Sequence, residues 1–361
     1  MYIHSLELSN YRNYDNLNMT FDAGTTILYG DNAQGKTNIL EAIYVSATTK
    51  SHRGSKDKEI IKFDCEESHI RTFVNKKSID HKIDMHLRKN RTKGIAIDGL
   101  PIRKSGELFG VANVIFFSPE DLSIIKNGPA ERRRFLDLEL CQLDKLYLYN
   151  YTNYNKVLNQ RNNLLKQICF NPSLAETLDV WNQQLVTYGT EIIRSREKFI
   201  RQLNDILKQI HSKLTGGKEQ LHIEYEKSID ENDYLNQLHM KQEMDLKYQS
   251  TQCGPQRDDI CFYIDGIEVR KYGSQGQQRT AALSLKLAEI EIVKSLIRDT
   301  PILLLDDVMS ELDENRRDYL LHSINDIQTI ITCTGYDDFI RERMKINKVY
   351  RVVNGHVYYE G

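Results

Sequence analysis

Long apolar runs are missing from this chain of 361 residues. A helix that crosses a bilayer needs about twenty consecutive apolar residues, and no stretch of the sequence approaches that length. The first residues, Met1 to Glu7, also lack the charged and apolar regions of a signal peptide. These absences argue against a membrane protein and predict a cytoplasmic location.

Paired metal-binding residues are missing as well. The six cysteines occur singly, without a C-x-x-C pair, and the ten histidines form neither an H-x₃-H nor an H-E-x-x-H pattern. A disulfide framework or a zinc site would need such spacing. The cysteines are therefore expected to be reduced thiols.

The chain also lacks an excess of positive charge, since its formal net charge is −2. Any contact with nucleic acid must therefore come from local basic clusters. The candidates are residues 88–93, the group Lys56, Lys58 and Lys62, and the run Arg132, Arg133 and Arg134. Aromatic residues are not interleaved with these clusters, which favours phosphate contacts without sequence specificity.

A glycine-rich loop supplies the first positive signal. Residues 25–29 are typical of a buried strand and residues 38–43 of the start of a helix, so the loop joins a strand to a helix N-terminus that favours anions. Gly30 and Gly35 allow the backbone amides to turn inward. In such a P-loop Lys36 contacts the outer phosphates and the Thr37 hydroxyl binds Mg²⁺. The predicted ATP-binding residues here are Gly30, Asp31, Asn32, Ala33, Gln34, Gly35, Lys36, Thr37 and Asn38.

An apolar run that ends in two acids supplies the second signal. Residues 301–305 are expected to form a parallel strand buried on both faces. Asp306 at its end is placed to hold Mg²⁺ through water. Asp307 is placed to orient or deprotonate the attacking water, and we predict Asp307, Lys36 and Asp306 as the catalytic residues.

The segment SQGQQ, residues 274–278, precedes a predicted helix from about 279 to 297. A serine and small residues at a helix start form an anion site, whose natural ligand is an ATP held by a second copy of the chain. The alternative is an ordinary N-cap, in which Ser274 and Gln277 form a capping box. Together the three motifs predict a homodimer that closes on two ATP molecules.

In the order of these motifs the chain resembles the ABC-type ATPase heads of the SMC and DNA-repair class, and most closely the RecF family. The resemblance runs nearly end to end and is specific in its combination of blocks. Those blocks are residues 8–14, 30–37, 51–53, 117–122, 128–137, 274–279 and 305–313.

The resemblance implies an ATP-dependent homodimer that binds double-stranded and gapped DNA. It also implies a weak, DNA-stimulated ATPase that works with RecO and RecR to help RecA load. By position it assigns Ser274, Gly276 and Gln277 to the partner's nucleotide, and Asp313 to the loop that couples the two sites. Arg12 resembles an arginine that lies near the nucleotide in such heads.

The chain departs from the wider ABC pattern at three places. Asp307 stands where glutamate is usual, and no histidine occurs where a switch histidine is expected. Thr334 or Thr332 is predicted to donate a hydroxyl there instead. Residues 117–121 are the candidate for the Q-loop, but they do not contain the glutamine that is usual there. All three departures predict slow turnover.

The expected fold class is α/β, an ABC-type P-loop ATPase head with a mixed sheet and a flanking antiparallel sheet, plus an inserted all-helical arm lobe. We predict the head over residues 1–127 and 251–361 and the arm over 128–250.

The arm is expected to be two long antiparallel helices, each reaching on the order of 60 Å if unbroken. The first helix covers 136–168. The second starts at a capping box of Ser173 and Glu176 and ends at Gly216. A polar helix near 229–249 and a C-terminal hairpin with an Asn354-Gly355 turn follow.

Two other functions compete with the ATP-operated clamp. A P-loop kinase for a small molecule leaves residues 274–278 and the arm without a purpose. An SMC-like tether for chromosome architecture needs a much longer arm than this chain offers.

Overall fold

The structure is a computed structural model that describes residues 1–335 and 345–361. The chain divides into two compact units. The first contains Met1–Asp121 and Lys286–Gly361, and the second contains Leu122–Leu285. The second unit holds the segment 128–250 assigned to the arm, together with residues 251–285.

The strands are numbered in chain order. They are β1 (Tyr2–Tyr11), β2 (Tyr14–Thr20), β3 (Thr25–Tyr29), β4 (Glu67–Lys76), β5 (Ile79–Arg88), β6 (Gly94–Ile97), β7 (Leu100–Pro101), β8 (Val114–Phe117), β9 (Leu221–Glu226), β10 (Asp259–Ile264), β11 (Ile267–Glu268), β12 (Ile302–Asp306), β13 (Thr329–Cys333), β14 (Ile346–Val353) and β15 (His356–Tyr359).

The described helices are numbered in the same way. They are α1 (Lys36–Thr48), α2 (Asp57–Ile60), α3 (Leu122–Lys126), α4 (Pro129–Leu143), α5 (Lys145–Ile168), α6 (Leu178–Thr215), α7 (Tyr234–Met240), α8 (Gln242–Tyr248), α9 (Val269–Tyr272), α10 (Gln275–Ile297) and α11 (Glu314–Ser323). Among the described residues, no helix is both long and apolar enough to cross a bilayer.

The first unit contains a mixed six-stranded sheet in the order β15-β14-β3-β13-β12-β8. All neighbours pair in parallel except β14 and β15, which form the predicted hairpin. The three central strands are almost wholly buried, as their apolar sequences require. Their carboxyl ends meet at one edge of the sheet, which brings the P-loop after β3 close to the acids after β12.

A second six-stranded sheet, β2-β1-β4-β5-β6-β7, is antiparallel throughout. Alternate residues of β4, such as Ile70, Thr72 and Val74, are buried, while their neighbours are more exposed. The sheet therefore has one wet face, as the alternation in the sequence predicts.

In the second unit, the prediction of one continuous first arm helix is wrong. The segment is divided into α4 and α5 at Asp144, whose extended backbone interrupts the helix and whose carboxylate accepts a hydrogen bond from the Leu146 amide at 2.8 Å. The apolar spacing continues across the break, so periodicity could not reveal it. The second helix, α6, is continuous over 38 residues.

Other boundaries of the second unit also differ from the prediction. Pro172–Thr177 is a 3₁₀ helix without a capping box, and the Ser173 hydroxyl donates to Asn171 Oδ1 at 2.7 Å instead. The end of α6 at Gly216, in the left-handed conformation, is confirmed. The polar helix near 229–249 is two short helices, α7 and α8. The unit also carries the antiparallel sheet β11-β10-β9.

Candidate nucleotide site

The P-loop has the backbone conformation that its glycines allow. Gly30 has φ +148° and Gly35 has φ +114°, both outside the range that other residues adopt easily. A Cβ at Gly35 would lie 2.5 Å from Asn13 Nδ2 and 2.7 Å from the Tyr14 hydroxyl, and one at Gly30 would overlap the Val352 carbonyl oxygen. Each glycine is therefore required by a close approach as well as by φ.

Gln34 is the point at which two other segments brace the loop. Asn13 Nδ2 donates to its carbonyl oxygen at 3.1 Å, and the Gly355 amide donates to the same oxygen at 3.2 Å. The Asn354 amide donates to Gln34 Oε1 at 2.6 Å. No motif in the sequence indicates these braces, although the Asn354-Gly355 turn that supplies two of them was predicted.

Lys36 is buried within the loop that it follows. Its ammonium group donates to the carbonyl oxygens of Gly30 and, at 2.7 Å, of Asp31. Burial lowers the pKa of Lys36, while the nearby Asp307 carboxylate acts in the opposite direction. The loop thus holds an ammonium group at its centre, and this positive charge suits the outer phosphates of a nucleotide.

Asp306, at the end of β12, contacts both the neighbouring β13 and the start of α1. Its Oδ1 accepts a hydrogen bond from the Thr37 hydroxyl at 2.8 Å and another from the Thr332 hydroxyl at 2.7 Å. The structure therefore brings together the two residues predicted to hold Mg²⁺, Thr37 and Asp306. Hydroxyl and carboxylate oxygens are the ligands that this ion prefers, so the donor set fits it.

Asp307 follows directly, in a left-handed conformation with φ +53°. Its amide donates to the Thr332 hydroxyl oxygen at 3.0 Å, which fixes the turn. Burial raises the pKa of the Asp307 carboxyl, and the neighbouring Asp306 charge adds to this while Lys36 opposes it. A carboxylate with a raised pKa is a better proton acceptor than an ordinary one.

The two threonines offered for the switch position lie in different surroundings. Thr332 is buried and contacts both acids, whereas Thr334 lies just beyond β13 and is exposed. Asp313, assigned to the coupling loop, caps α11 by accepting a hydrogen bond from the Arg316 amide at 3.0 Å.

Arg12 has a protein partner in this structure. Its guanidinium donates to both carboxylate oxygens of Glu41, at 2.7 Å and 2.6 Å, and Glu41 is fully buried on α1. Although burial alone would raise it, the pKa of Glu41 is lowered by its hydrogen bonds from Arg12 and Ser51. A role for Arg12 beside the nucleotide stays a prediction.

In the second unit, Ser274 precedes α10 and forms the capping box that the sequence allowed. The Ser274 amide donates to Gln277 Oε1 at 2.9 Å, and the Gln277 amide donates to Ser274 Oγ at 3.2 Å. Ser274 and Gly276 are both exposed. The helix N-terminus is therefore both capped and accessible.

Two of the three arginines in the run Arg132, Arg133 and Arg134 are held by protein partners, whereas Arg134 is exposed. Arg132 is only 2% exposed and donates to both carboxylate oxygens of Asp259, at 2.7 Å and 2.8 Å. Arg133 is half-buried and donates to the Asp258 carbonyl oxygen at 2.7 Å. These two arginines stabilise the fold of the second unit.

The other two basic clusters lie side by side on the first unit. Lys93 Nζ lies 3.0 Å from Asp57 Oδ1, which joins residues 88–93 to α2. Around this contact Lys56, Lys58 and Arg91 are exposed. We call these three residues the basic edge.

The whole chain matches known proteins. Residues 2–357 match the family described as RecF/RecN/SMC N terminal domain. The DNA replication and repair protein RecF of Lachnoclostridium phytofermentans is 61% identical over 357 residues, covering 99% of both chains.

Two solved structures show the same fold. A structure of the recombination mediator protein RecF with ATP in the RecFOR pathway superimposes with a TM-score of 0.94 at 36% identity, covering 100% of this chain and 98% of the other. A Smc head domain of Pyrococcus furiosus reaches a TM-score of 0.58 at 15% identity, covering 99% of this chain and 96% of the other, and it bears on the fold alone. The ABC-type ATPase head predicted from the sequence is confirmed.

Proposed function

Since the chain belongs to the RecF/RecN/SMC N-terminal domain family, as one of its RecF proteins, we propose that it is an ATP-operated DNA clamp of recombinational repair. One observation carries this proposal. The Asp306 carboxylate at the end of β12 accepts hydrogen bonds from Thr37 at the start of α1 and from Thr332 on β13, with Asp307 next to it and Lys36 beside them. That arrangement can bind a nucleoside triphosphate and hydrolyse it slowly.

Each residue has a task in the proposed reaction. Lys36 neutralises the outer phosphates, and Thr37 and Asp306 would hold a Mg²⁺ ion, which would supply positive charge beside the phosphates as ADP departs. Asp307 accepts a proton from the water that attacks the γ-phosphorus, so that ADP and phosphate form. Because aspartate is one methylene shorter than the usual glutamate, it reaches less far toward this water, and turnover is slow.

The exposed start of α10 supplies the link to a second subunit. Phosphate oxygens only accept hydrogen bonds, whereas the Ser274 hydroxyl and the amides of the first turn of α10 donate them. In the proposed homodimer these donors of one subunit reach the γ-phosphate held by the other. ATP binding then closes the dimer, and hydrolysis opens it.

DNA contact is assigned to the basic edge. Exposed lysine and arginine side chains bind the phosphate backbone without reading its sequence. The matched relative is named a recombination mediator in the RecFOR pathway. We infer for this chain the same partners, RecO and RecR, and a role in loading RecA at gapped DNA, with hydrolysis stimulated by DNA.

Sedimentation tests the central step. With Mg²⁺ and a non-hydrolysable ATP analogue the mass of the wild-type protein should double, because each nucleotide recruits a second subunit. Ser274→Arg should bind the analogue but stay monomeric, since its side chain blocks the phosphate contact. Lys36→Ala should lose nucleotide binding altogether.

A wild-type protein that binds the analogue and keeps its monomer mass would contradict the proposal. Doubling by Ser274→Arg would contradict the assigned contact but leave dimerisation intact. Gly128→Arg is a suitable control, because a Cβ at Gly128 meets no atom within 4 Å.

A further inference from the structure

Glu219 makes a contact that the sequence did not suggest. It lies just after α6 and accepts a hydrogen bond from Gln277 Nε2 at 3.0 Å. The other side of the same amide, Gln277 Oε1, accepts from the Ser274 backbone amide at 2.9 Å. The Gln277 side chain therefore links Glu219 to the start of α10.

The chemistry of a carboxylate fixes the orientation of this amide. Glu219, when ionised, can only accept hydrogen bonds, so it must face the NH₂ group of Gln277. The carbonyl oxygen of Gln277 then faces the Ser274 amide, which can only donate. In the opposite orientation both contacts would be repulsive, because NH₂ would meet N–H and oxygen would meet carboxylate. Glu219 thus selects the side-chain orientation that closes the capping box.

The closed box determines what Ser274 offers to a ligand. The Ser274 oxygen accepts from the Gln277 amide at 3.2 Å, so the hydroxyl hydrogen is left to point elsewhere. Because Ser274 is exposed, that hydrogen can be donated outward. A phosphate oxygen needs such a donor.

His211 lies beside Glu219. His211 is fully buried near the end of α6, and its Nε2 lies 3.4 Å from Glu219 Oε2. Its Nδ1 lies 2.9 Å from the hydroxyl of Ser284, which is on α10. The end of α6 is therefore tied to α10 both directly and through Glu219 and Gln277.

We propose that Glu219 is a positioning residue that orients Gln277, and thereby the Ser274 hydroxyl, toward the nucleotide of a second subunit. Because Glu219 follows the end of α6, its hydrogen bond to Gln277 also connects this end to the start of α10. This inference rests on the proposed function for its consequence, but its structural part stands independently.

Three substitutions of Glu219 test the orientation. Glu219→Gln keeps an acceptor oxygen and should behave as the wild type does. Glu219→Ala removes the acceptor, and Glu219→Lys replaces it by a donor that attracts the wrong side of the amide. The matched control is Glu224→Ala, which removes a carboxylate that is 57% exposed on the adjacent β9.

The first measurement is hydrogen exchange at the Ser274 backbone amide, which donates to Gln277 Oε1, in the nucleotide-free protein. Exchange should be about tenfold faster in Glu219→Ala, the scale of losing one hydrogen bond to a charged group, and faster still in Glu219→Lys. Wild-type exchange in Glu219→Ala would overturn the inference. This measurement needs no dimer, so it tests the role of Glu219 even if the clamp proposal fails.

The second measurement is the subunit affinity in the presence of a non-hydrolysable ATP analogue. Glu219→Ala should pair about tenfold more weakly, Glu219→Lys more weakly again, and Glu219→Gln as the wild type does. Binding of the analogue by the monomer should be unchanged in all three. Equal pairing by wild type and Glu219→Lys would overturn the inference, whereas absence of pairing in the wild type would contradict the proposed function instead.

Discussion

The Thr332 hydroxyl lies 2.7 Å from Asp306 Oδ1. The same hydroxyl oxygen also accepts the Asp307 amide at 3.0 Å. One side chain on β13 thus touches both acids at the end of β12, and this side chain is one of the two threonines predicted to replace a switch histidine. A hydroxyl can hold the two acids in register, but it cannot carry the positive charge of a histidine.

Replacing Thr332 by valine should slow ATP turnover about tenfold while nucleotide binding persists. Valine keeps the shape of threonine but loses both hydrogen bonds, so Asp306 and Asp307 become less well placed. A loss of about 1.4 kcal/mol in transition-state stabilisation corresponds to a tenfold lower rate. Phosphate release under saturating ATP measures the effect.

Thr26→Val is the matched control for this experiment. Thr26 is buried on the neighbouring β3, and its hydroxyl has no hydrogen-bond partner among the described residues. The control should therefore keep wild-type turnover. Equal rates for both valine variants would show that the Thr332 hydroxyl does not matter to the reaction.

Asp307→Asn should stabilise the nucleotide-free protein near neutral pH. The raised pKa of Asp307 means that the folded state favours the protonated carboxyl. The corresponding stability is fully present below about pH 4, the unfolded value, and is lost as pH rises through the folded value. Asparagine is neutral throughout and loses nothing, so the difference between the two proteins should grow with pH.

Melting temperatures of both nucleotide-free proteins between pH 5 and pH 8 measure this effect. The asparagine variant should melt higher at pH 8, by a margin no smaller than at pH 5. A margin that shrinks as pH rises would mean that Asp307 is not destabilised in its charged form.

Arg12→Ala should lower the free energy of unfolding by about 3 kcal/mol, because it leaves the fully buried Glu41 carboxylate without its main partner. The double variant Arg12→Met, Glu41→Leu removes both charges. Its loss in the free energy of unfolding should be smaller than the sum of the losses in the two variants that carry only one of these substitutions. Urea unfolding measures both quantities.

An exposed ion pair provides the comparison for that cycle. Arg194 lies 3.2 Å from Glu191 with both side chains about half exposed. Arg194→Ala should change the stability by less than about 0.5 kcal/mol. Similar losses for Arg12→Ala and Arg194→Ala would contradict the structural role assigned to Arg12.

Loss of the basic edge should weaken DNA binding. The double variant Lys58→Ala, Arg91→Ala tests this. A plot of log DNA affinity against log salt concentration should become shallower by about one unit of slope for each lost phosphate contact. Titration of gapped DNA at several salt concentrations measures it, with the exposed Lys104→Ala as control. An unchanged slope would place the DNA elsewhere.

The sequence alone was sufficient to predict the features that residues close together in the chain form. The P-loop and the acids after β12 follow from short motifs next to apolar strands, and the parallel sheet then brings Thr37 and Asp306 together. Thr332 was one of two candidates, and only the register of β13 beside β12 distinguishes it from Thr334.

Sequence was insufficient where partners lie far apart. Asn354 braces Gln34 from 320 residues away, and Glu219 meets Gln277 from 58 residues away. Arg132 shows a different limit. A run of three arginines is usually a solvated surface, and only the position of Asp259 on β10 explains why Arg132 is buried.

The length of α6 has a mechanical consequence. An uninterrupted helix of 38 residues is a rod of about 57 Å. Tilting such a rod by about 5° at its Gly216 end displaces the opposite end by about 5 Å. A fluorescent label at the far end of α6 would move by that distance, whereas two labels at the ends of the rod would keep a constant separation.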